Sequence, residues 1–407
     1  MKKLNWLKKL GPGLLFAGAA IGVSHLVQST RAGADFGFGL IWALILIHIV
    51  KYPFFQFGPR YATATGESLI DGYRRLGKGV LIAYLIVTLI SMFAIQAAVT
   101  IVTAGLAANL FGLSTNPVIW SMIIIGICFL LLIIGRYSLL DKLIKFILVT
   151  LTISTLIAVV IAGVNVEESL SLAQILPEGT IEITFLIAFL GWMPAPMDIS
   201  VWQSLWALEK QKESTTEFNT KQSIFDFNIG FFATLILGIC FVTLGAFVMF
   251  NSGEKFSAGA VDFSQQLIQL YTHNLGDGLY IIIAAAAFTA MFSTTITCLD
   301  ASPRALERTF DLLTKKSFKN MYWFWLSVLA LGTILILMFL ISKMGILVKV
   351  ATILAFLTAP FFAILNFILI SGKHTPEKWR PSLRLKILSW FGILFLIGFS
   401  IWYLYSL

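Results

Sequence analysis

Apolar residues run along this chain in stretches of about twenty, separated by short polar interruptions, from near the N-terminus to the last residues. A hydrocarbon layer of ~30 Å crossed at ~1.5 Å per helical residue needs ~20 apolar positions, so each stretch predicts a membrane-spanning helix. The ten-residue alternation of a barrel strand is absent from the pattern, and the predicted elements are helices. Eleven spans are expected, at about 12–32, 38–59, 79–110, 117–135, 144–164, 181–208, 222–250, 278–300, 321–343, 345–371 and 387–406.

Two spans interrupt their own pattern, and they stand five spans apart. The sixth contains Gly191-Trp192-Met193-Pro194-Ala195-Pro196-Met197-Asp198, where two prolines and a carboxylate fall near the middle of an apolar run. The first carries Gly11-Pro12-Gly13, Gly18 and Gly22, followed by Ser24, His25, Gln28 and Arg31 as a polar stripe at helical spacing. Inside lipid a gap in the hydrogen-bond ladder survives only where it lines a cavity or is buried in protein. Interrupted helices at corresponding places in two five-helix halves point to an inverted-repeat secondary transporter with its site at the midplane. The expected fold class is therefore all-α integral membrane, a 5+5 inverted repeat with discontinuous helices 1 and 6. The whole of 1–407 reads as one transporter domain, with repeats at about 12–164 and 181–371 and an extra helix at 387–406.

Composition agrees: 58% of the residues are hydrophobic, 12% are charged, and the mean hydropathy is +0.90, too apolar for a soluble protein of several domains. Of the 29 Lys and Arg residues, 24 fall in the N-terminal tail and the even-numbered loops. By the positive-inside rule the N-terminus is expected in the cytoplasm and the C-terminus outside, in a multi-pass cell (inner) membrane protein. The net charge of +9 is then a topology signal, and no nucleic-acid partner is expected. Cys128, Cys240 and Cys298 all fall within spans and read as packing residues. Met1–Leu15 reads as a tail entering the first helix, without a signal-peptide cleavage site. The acidic loop around Glu167, Glu168, Glu178 and Glu182 could draw cations to the mouth, or be an ordinary solvated face.

The residues that could carry chemistry cluster at the breaks. Asp198 is the carboxylate nearest the centre of a span, suited to ligate a cation or an amine, although two residues after Pro196 it could equally cap the helix that follows. His25, three residues past Gly22, could face Asp198 and bind a metal, pair with the carboxylate or carry a proton. Ser24 is a ligand through Oγ or an N-cap. Main-chain carbonyls near Gly22 and Ala195 are further candidate ligands, since the end of a broken helix presents unpaired oxygens. In span eight, Ser293-Thr294-Thr295-Ile296-Thr297 supplies hydroxyls that suit a hard cation, with Ser293 and Thr294 candidates for a second ion, or that back-bond to their own helix. His48, Lys51 and Lys349 are intramembrane ionisable residues that snorkelling explains poorly. Enzyme motifs and cofactor fingerprints are absent, so neither catalysis nor a cofactor is expected.

These residues resemble the natural resistance-associated macrophage protein (NRAMP) family of divalent metal transporters. Gly11-Pro12-Gly13, Ala32-Gly33, Thr65-Gly66-Glu67-Ser68-Leu69, Asp226, Ser293-Thr294-Thr295 and Thr358-Ala359-Pro360-Phe361 follow that family's order and spacing over nearly the whole chain. The resemblance implies a leucine-transporter type of fold. It also implies where ligands should stand, and there the chain departs: the family's Asp-Pro-Gly-Asn falls on Gly22-Val23-Ser24-His25, and its Met-Pro-His on Ala195-Pro196-Met197. Span three has no acid and span nine no Arg, so the family's proton route is missing too. Without thioether or first-helix carboxylate the preference for Mn²⁺ or Fe²⁺ should weaken. Some divergent members of the family resemble magnesium transporters and also carry Ala in place of the Met, and a partly hydrated Mg²⁺ needs few direct ligands.

The leading expectation is a secondary transporter or facilitator of a divalent metal of the Mg or Mn class, through a rearranged midplane site. Its candidate residues are Gly22, Ser24, His25, Gln28, Ala195, Met197, Asp198 and Thr358, with Asp198 and His25 as the metal ligands. The alternative is a transporter of the same fold for a non-metal solute or anion, possibly Na⁺-coupled, with Trp202 closing over it. A receptor on a degenerate transporter fold is a third, weakened by the lack of an output domain. The expected partners are the transported ion or solute and the lipid bilayer; no protein partner is inferable.

Overall fold

Proline at the first helical position sacrifices no hydrogen bond, and the chain enters its first helix, α1 (Pro12–Ala20), at Gly11-Pro12-Gly13. In this computed structural model, residues 11–135, 137–164, 171–213, 218–250, 252, 254–340 and 343–406 are described. The basic tail, Arg136, Glu167 and Glu168 lie outside the described residues. After a break at 21–23, a π-helical turn (Ser24–Ser29) leads into α2 (Thr30–Phe36), and the two halves are bent by 44°. There follow α3 (Ile41–Thr65), the short α4 (Leu69–Leu76), α5 (Lys78–Phe111), α6 (Pro117–Ile134) and α7 (Tyr137–Val164).

The sixth span is split into α8 (Thr180–Trp192) and α9 (Ile199–Glu213). The rest of the chain forms α10 (Thr220–Met249), α11 (Ala260–Leu275), α12 (Tyr280–Thr314), α13 (Met321–Leu335), α14 (Met344–Ser371) and α15 (Leu383–Ser406). Every one of the eleven hydropathy spans coincides with a helix or a broken pair. Several elements exceed the expectation, among them the short α4 between the second and third spans. Helix α12 continues to Thr314, past the predicted end near 300, with Asp300 bonded to Arg304 one turn on and to Tyr322 of α13. Helix α11 lies in what reads as an outer loop. It buries Phe263, Leu267 and Tyr271 at helical spacing but is too short and polar to register as a span.

Small residues set the closest contacts, as packing within lipid requires. A methyl group on Gly13 would lie 2.0 Å from the Asp226 carbonyl oxygen, and one on Gly230 would lie 2.0 Å from the Gly13 oxygen, so α1 and α10 touch backbone to backbone. The Asp226 carboxylate then caps α1, accepting from the Gly11 N–H at 3.0 Å and the Gly13 N–H at 2.7 Å. Helix α12 packs along α5, α9 along α3 and α14 along α8, which places both broken spans among unbroken ones. Around them Phe16, Phe55, Phe227 and Phe231 join α1, α3 and α10 in one aromatic cluster. At one end of the bundle, Ser68 and Asp71 form a capping box on α4. The Asn366 side chain there bonds Tyr73 of α4, the Phe54 carbonyl of α3 and Ser200 of α9.

Candidate functional site at the two helix breaks

The first break opens because Gly22 is pressed against α12: a methyl group there would lie 2.8 Å from Thr294 Oγ1 and 3.0 Å from its Cγ2. Where the family resemblance implies a carboxylate, the space holds the Thr294 side chain. Of the carbonyls at the break, that of Ala20 is saturated. It accepts from the Gly22 N–H at 2.8 Å and from the Ser24 hydroxyl, and His25 Nδ1 lies 2.9 Å away. A carbonyl oxygen has two lone pairs, so nothing remains for a cation.

His25 does not face Asp198 as expected. The π turn displaces the helical register by about a residue, and the ring sits fully buried against α10, with Nε2 2.9 Å from the Thr234 carbonyl oxygen. Nδ1 lies 2.8 Å from Ser24 Oγ and 2.9 Å from the Ala20 oxygen, so both ring nitrogens are directed at protein oxygens rather than at the cavity. The polar stripe of span one is divided in the same way: Arg31 lies over the Phe185 ring, while Gln28 is buried with Oε1 lacking a protein partner.

At the second break, α8 stops at Trp192 and the chain turns through Met193–Asp198 before α9 begins. The last carbonyls of a helix have no intrahelical partners, and here Lys51 of α3 supplies them. Its ammonium donates to Gly191 O at 2.7 Å, Leu190 O at 2.9 Å and Ala195 O at 3.3 Å. The carbonyl near Ala195, expected as a cation ligand, is thus already engaged by a positive charge that repels another. Asp198 divides its roles: its carboxylate is approached by the N–H of Ile199, as a cap would be, while Oδ1 has no protein partner. Asp198 is half-buried, and Ala195 and Met197 are buried in the core. Met193 is buried too, and its thioether accepts from Ser29 across the two breaks at 3.4 Å.

Between the breaks lies a narrow cavity of about 20 Å³, room for a single water. Ser24 and Thr294 bring the hydroxyls in its lining; the other lining residues are apolar or aromatic, among them Ala19, Val23, Ile95, Pro196, Trp192 and Trp202. Of the span-eight hydroxyls, Thr294 and Thr295 back-bond to Ala290 O at 3.2 Å and Met291 O at 3.0 Å; Thr294 also reaches Gly18 O at 3.4 Å, and Thr295 meets Thr103 of α5 at 2.7 Å. Ser293 is buried on α12 outside the lining, and Thr358 back-bonds within α14, also outside it. Among the described residues no three His, Cys, Asp or Glu side chains converge as a metal cluster would. The sequence flagged Lys51 only as an unexplained ionisable group, and Met193 and Trp192 passed unremarked as apolar residues of the break.

The description "Natural resistance-associated macrophage protein-like" matches residues 13–406. Uncharacterized protein PM0681 of Pasteurella multocida is 34% identical, over 98% of this chain and 93% of its own. The divalent metal cation transporter MntH of Staphylococcus saprophyticus is 22% identical, over 95% and 89%. Among solved structures, a mutant of the Eremococcus coleocola manganese transporter superposes with a TM-score of 0.73 at 14% identity, covering 98% of this chain and 87% of that one. Mhp1, a nucleobase-cation-symport-1 family transporter, superposes with a TM-score of 0.63 at 16% identity, covering 97% and 92%. These likenesses show the leucine-transporter type of fold, with the two breaks at its first and sixth spans. Taken with the match over 13–406, they establish that this chain is a membrane transporter belonging to the natural resistance-associated macrophage protein-like (NRAMP-like) family.

Proposed function

We propose that the protein is a secondary transporter that works by alternating access and carries a divalent metal ion of the Mg²⁺ or Mn²⁺ class through a rearranged site between the two breaks. The observation that carries this reading is Asp198 Oδ1, a buried oxygen of a half-buried carboxylate at the sixth-span break that accepts no hydrogen bond from the protein. The names of the MntH relative and of the manganese transporter support the metal class. One carboxylate with few neighbouring donors suits an ion that keeps part of its water shell, which Mg²⁺ does more readily than softer metals. The distribution of basic residues among the loops supports a cytoplasmic N-terminus. Uptake of Mg²⁺, Mn²⁺ and Ca²⁺ into proteoliposomes, with titration calorimetry on the same preparation, tests the proposal. Folded protein that binds and transports none of the three overturns it.

A second reading, transport of a small non-metal solute or anion, is favoured by the lining. Trp192 and Trp202 both line the cavity, and the Trp192 indole N–H has no protein partner, so an acceptor-bearing, partly apolar solute would be held there in a conformation that opens this cavity of about 20 Å³. A thermal-shift screen of organic solutes with and without Na⁺ separates the two, because a ligand that binds the folded state raises its melting temperature. Stabilisation by an organic acid but by no divalent metal selects the second reading.

A further inference from the structure

The three carbonyls at the sixth-span break form an oxygen cage around one positive charge. Leu190 O and Gly191 O belong to the end of α8, where the helix dipole places about half a negative charge, and Ala195 O comes from the turn beyond. An ammonium has three N–H donors and no acceptor, and Lys51 has three oxygens to meet them. The residue is fully buried. A protonated lysine is tolerated at such depth only where its charge is matched and its donors are satisfied, and the unpaired carbonyls face the reciprocal problem. A small monovalent cation makes the same demand on a protein as this ammonium, namely several oxygens around a compact charge.

We propose that the sixth-span break is a monovalent-cation site permanently filled from within, with Lys51 as a tethered ion in place of a soluble one. Two consequences follow. The helix-end charge of α8 is neutralised without any bound Na⁺ or K⁺, so the fold does not depend on the ionic composition of the medium. The carbonyls are also withdrawn from the cargo, leaving Asp198, whose carboxylate attracts the Lys51 charge, as the anionic group at this break with an oxygen that accepts no hydrogen bond from the protein. The inference concerns stability and goes beyond the identity of the cargo, so it stands or falls separately from the proposed transport.

The test removes the tether. Lys51→Ala and the wild type are purified in detergent, and melting temperatures are measured in chloride salts of Na⁺, K⁺, ammonium and N-methylglucamine at equal ionic strength. The wild type is expected to melt at the same temperature in all four. Lys51→Ala is expected to melt several degrees lower in N-methylglucamine and to regain at least half of that loss, saturably, in at least one small cation. A Lys51→Ala protein that is destabilised equally in all four salts overturns the proposal. Lys51→Met keeps the apolar stem and removes only the ammonium, so it serves if the alanine variant does not fold. It is expected to melt below the wild type and to recover in part with a small cation; equality with the wild type, or no recovery in any salt, refutes the tethered ion.

Discussion

Gly22→Ala is the sharpest structural test of why this chain lacks the first-span carboxylate. The added methyl would lie 2.8 Å from Thr294 Oγ1 and 3.0 Å from Cγ2, against ~3.5–4.0 Å for an unstrained contact. Both helices are wedged into a packed bundle, so relief requires a shift of α12 or a rotated Thr294, and overpacking of this kind costs ~1–3 kcal/mol. Thr294→Ala alone loses a methyl group and weak bonds to Ala290 O and Gly18 O, a cost of ~1 kcal/mol. The double variant removes the clash with its cause, and is expected to be about as stable as Thr294→Ala. The coupling is then ~1–3 kcal/mol. A double-mutant cycle by denaturation in detergent micelles measures it. Additivity within ~0.5 kcal/mol, or a neutral Gly22→Ala, would refute the claim that Thr294 occupies the ligand's space. The cycle extends to function: Gly22→Asp in the Thr294→Ala background adds a carboxylate to the first break, beside that of Asp198 at the second. Mn²⁺ at 100 times its Kd is then expected to stabilise the protein by ~2.7 kcal/mol.

Other outcomes follow from single contacts. Asp198→Asn keeps the shape and removes the charge, and is expected to abolish divalent uptake while the melting temperature stays near that of the wild type; unchanged uptake would leave Asp198 a helix cap only. Asp226→Ala strips two charge-assisted bonds from the start of α1 and is expected to cost ~2–4 kcal/mol by thermal or urea unfolding, with Asp226→Asn retaining part of it; a loss below ~0.5 kcal/mol contradicts the capping role. Arg308→Ala breaks a partly exposed pair with Asp71 of α4, and because water screens it the expected cost is under ~1 kcal/mol. A larger loss would mean that this pair carries a conformational equilibrium.

Eleven helices could be read from hydropathy because lipid imposes a simple rule, length and apolarity together, that needs no knowledge of neighbours. The breaks were legible for the same reason, since Pro194, Pro196 and Gly22 violate that rule in mid-span. Helix α11 escaped because its period is visible only to a reader already looking for a short amphipathic helix.

The site was legible as a place and not as a set of contacts. Asp198, Ser24 and Thr294 were flagged, and they stand at the two breaks. What each side chain does there depends on partners far off in the chain: Lys51 meets Leu190 across 139 positions, His25 meets Thr234 across 209, and Gly11 meets Asp226 across 215. Sequence alone determined that this is an all-helical membrane protein with two opposed broken spans, because solvation by lipid acts on each segment separately. Only the tertiary structure decided that the Ala20 carbonyl at the first break is saturated, that the second holds its own cation, and that Thr294 fills the position of the missing carboxylate. Hydrogen bonds and close packing are pairwise and directional, so which donor satisfies which oxygen is settled only once the helices are assembled.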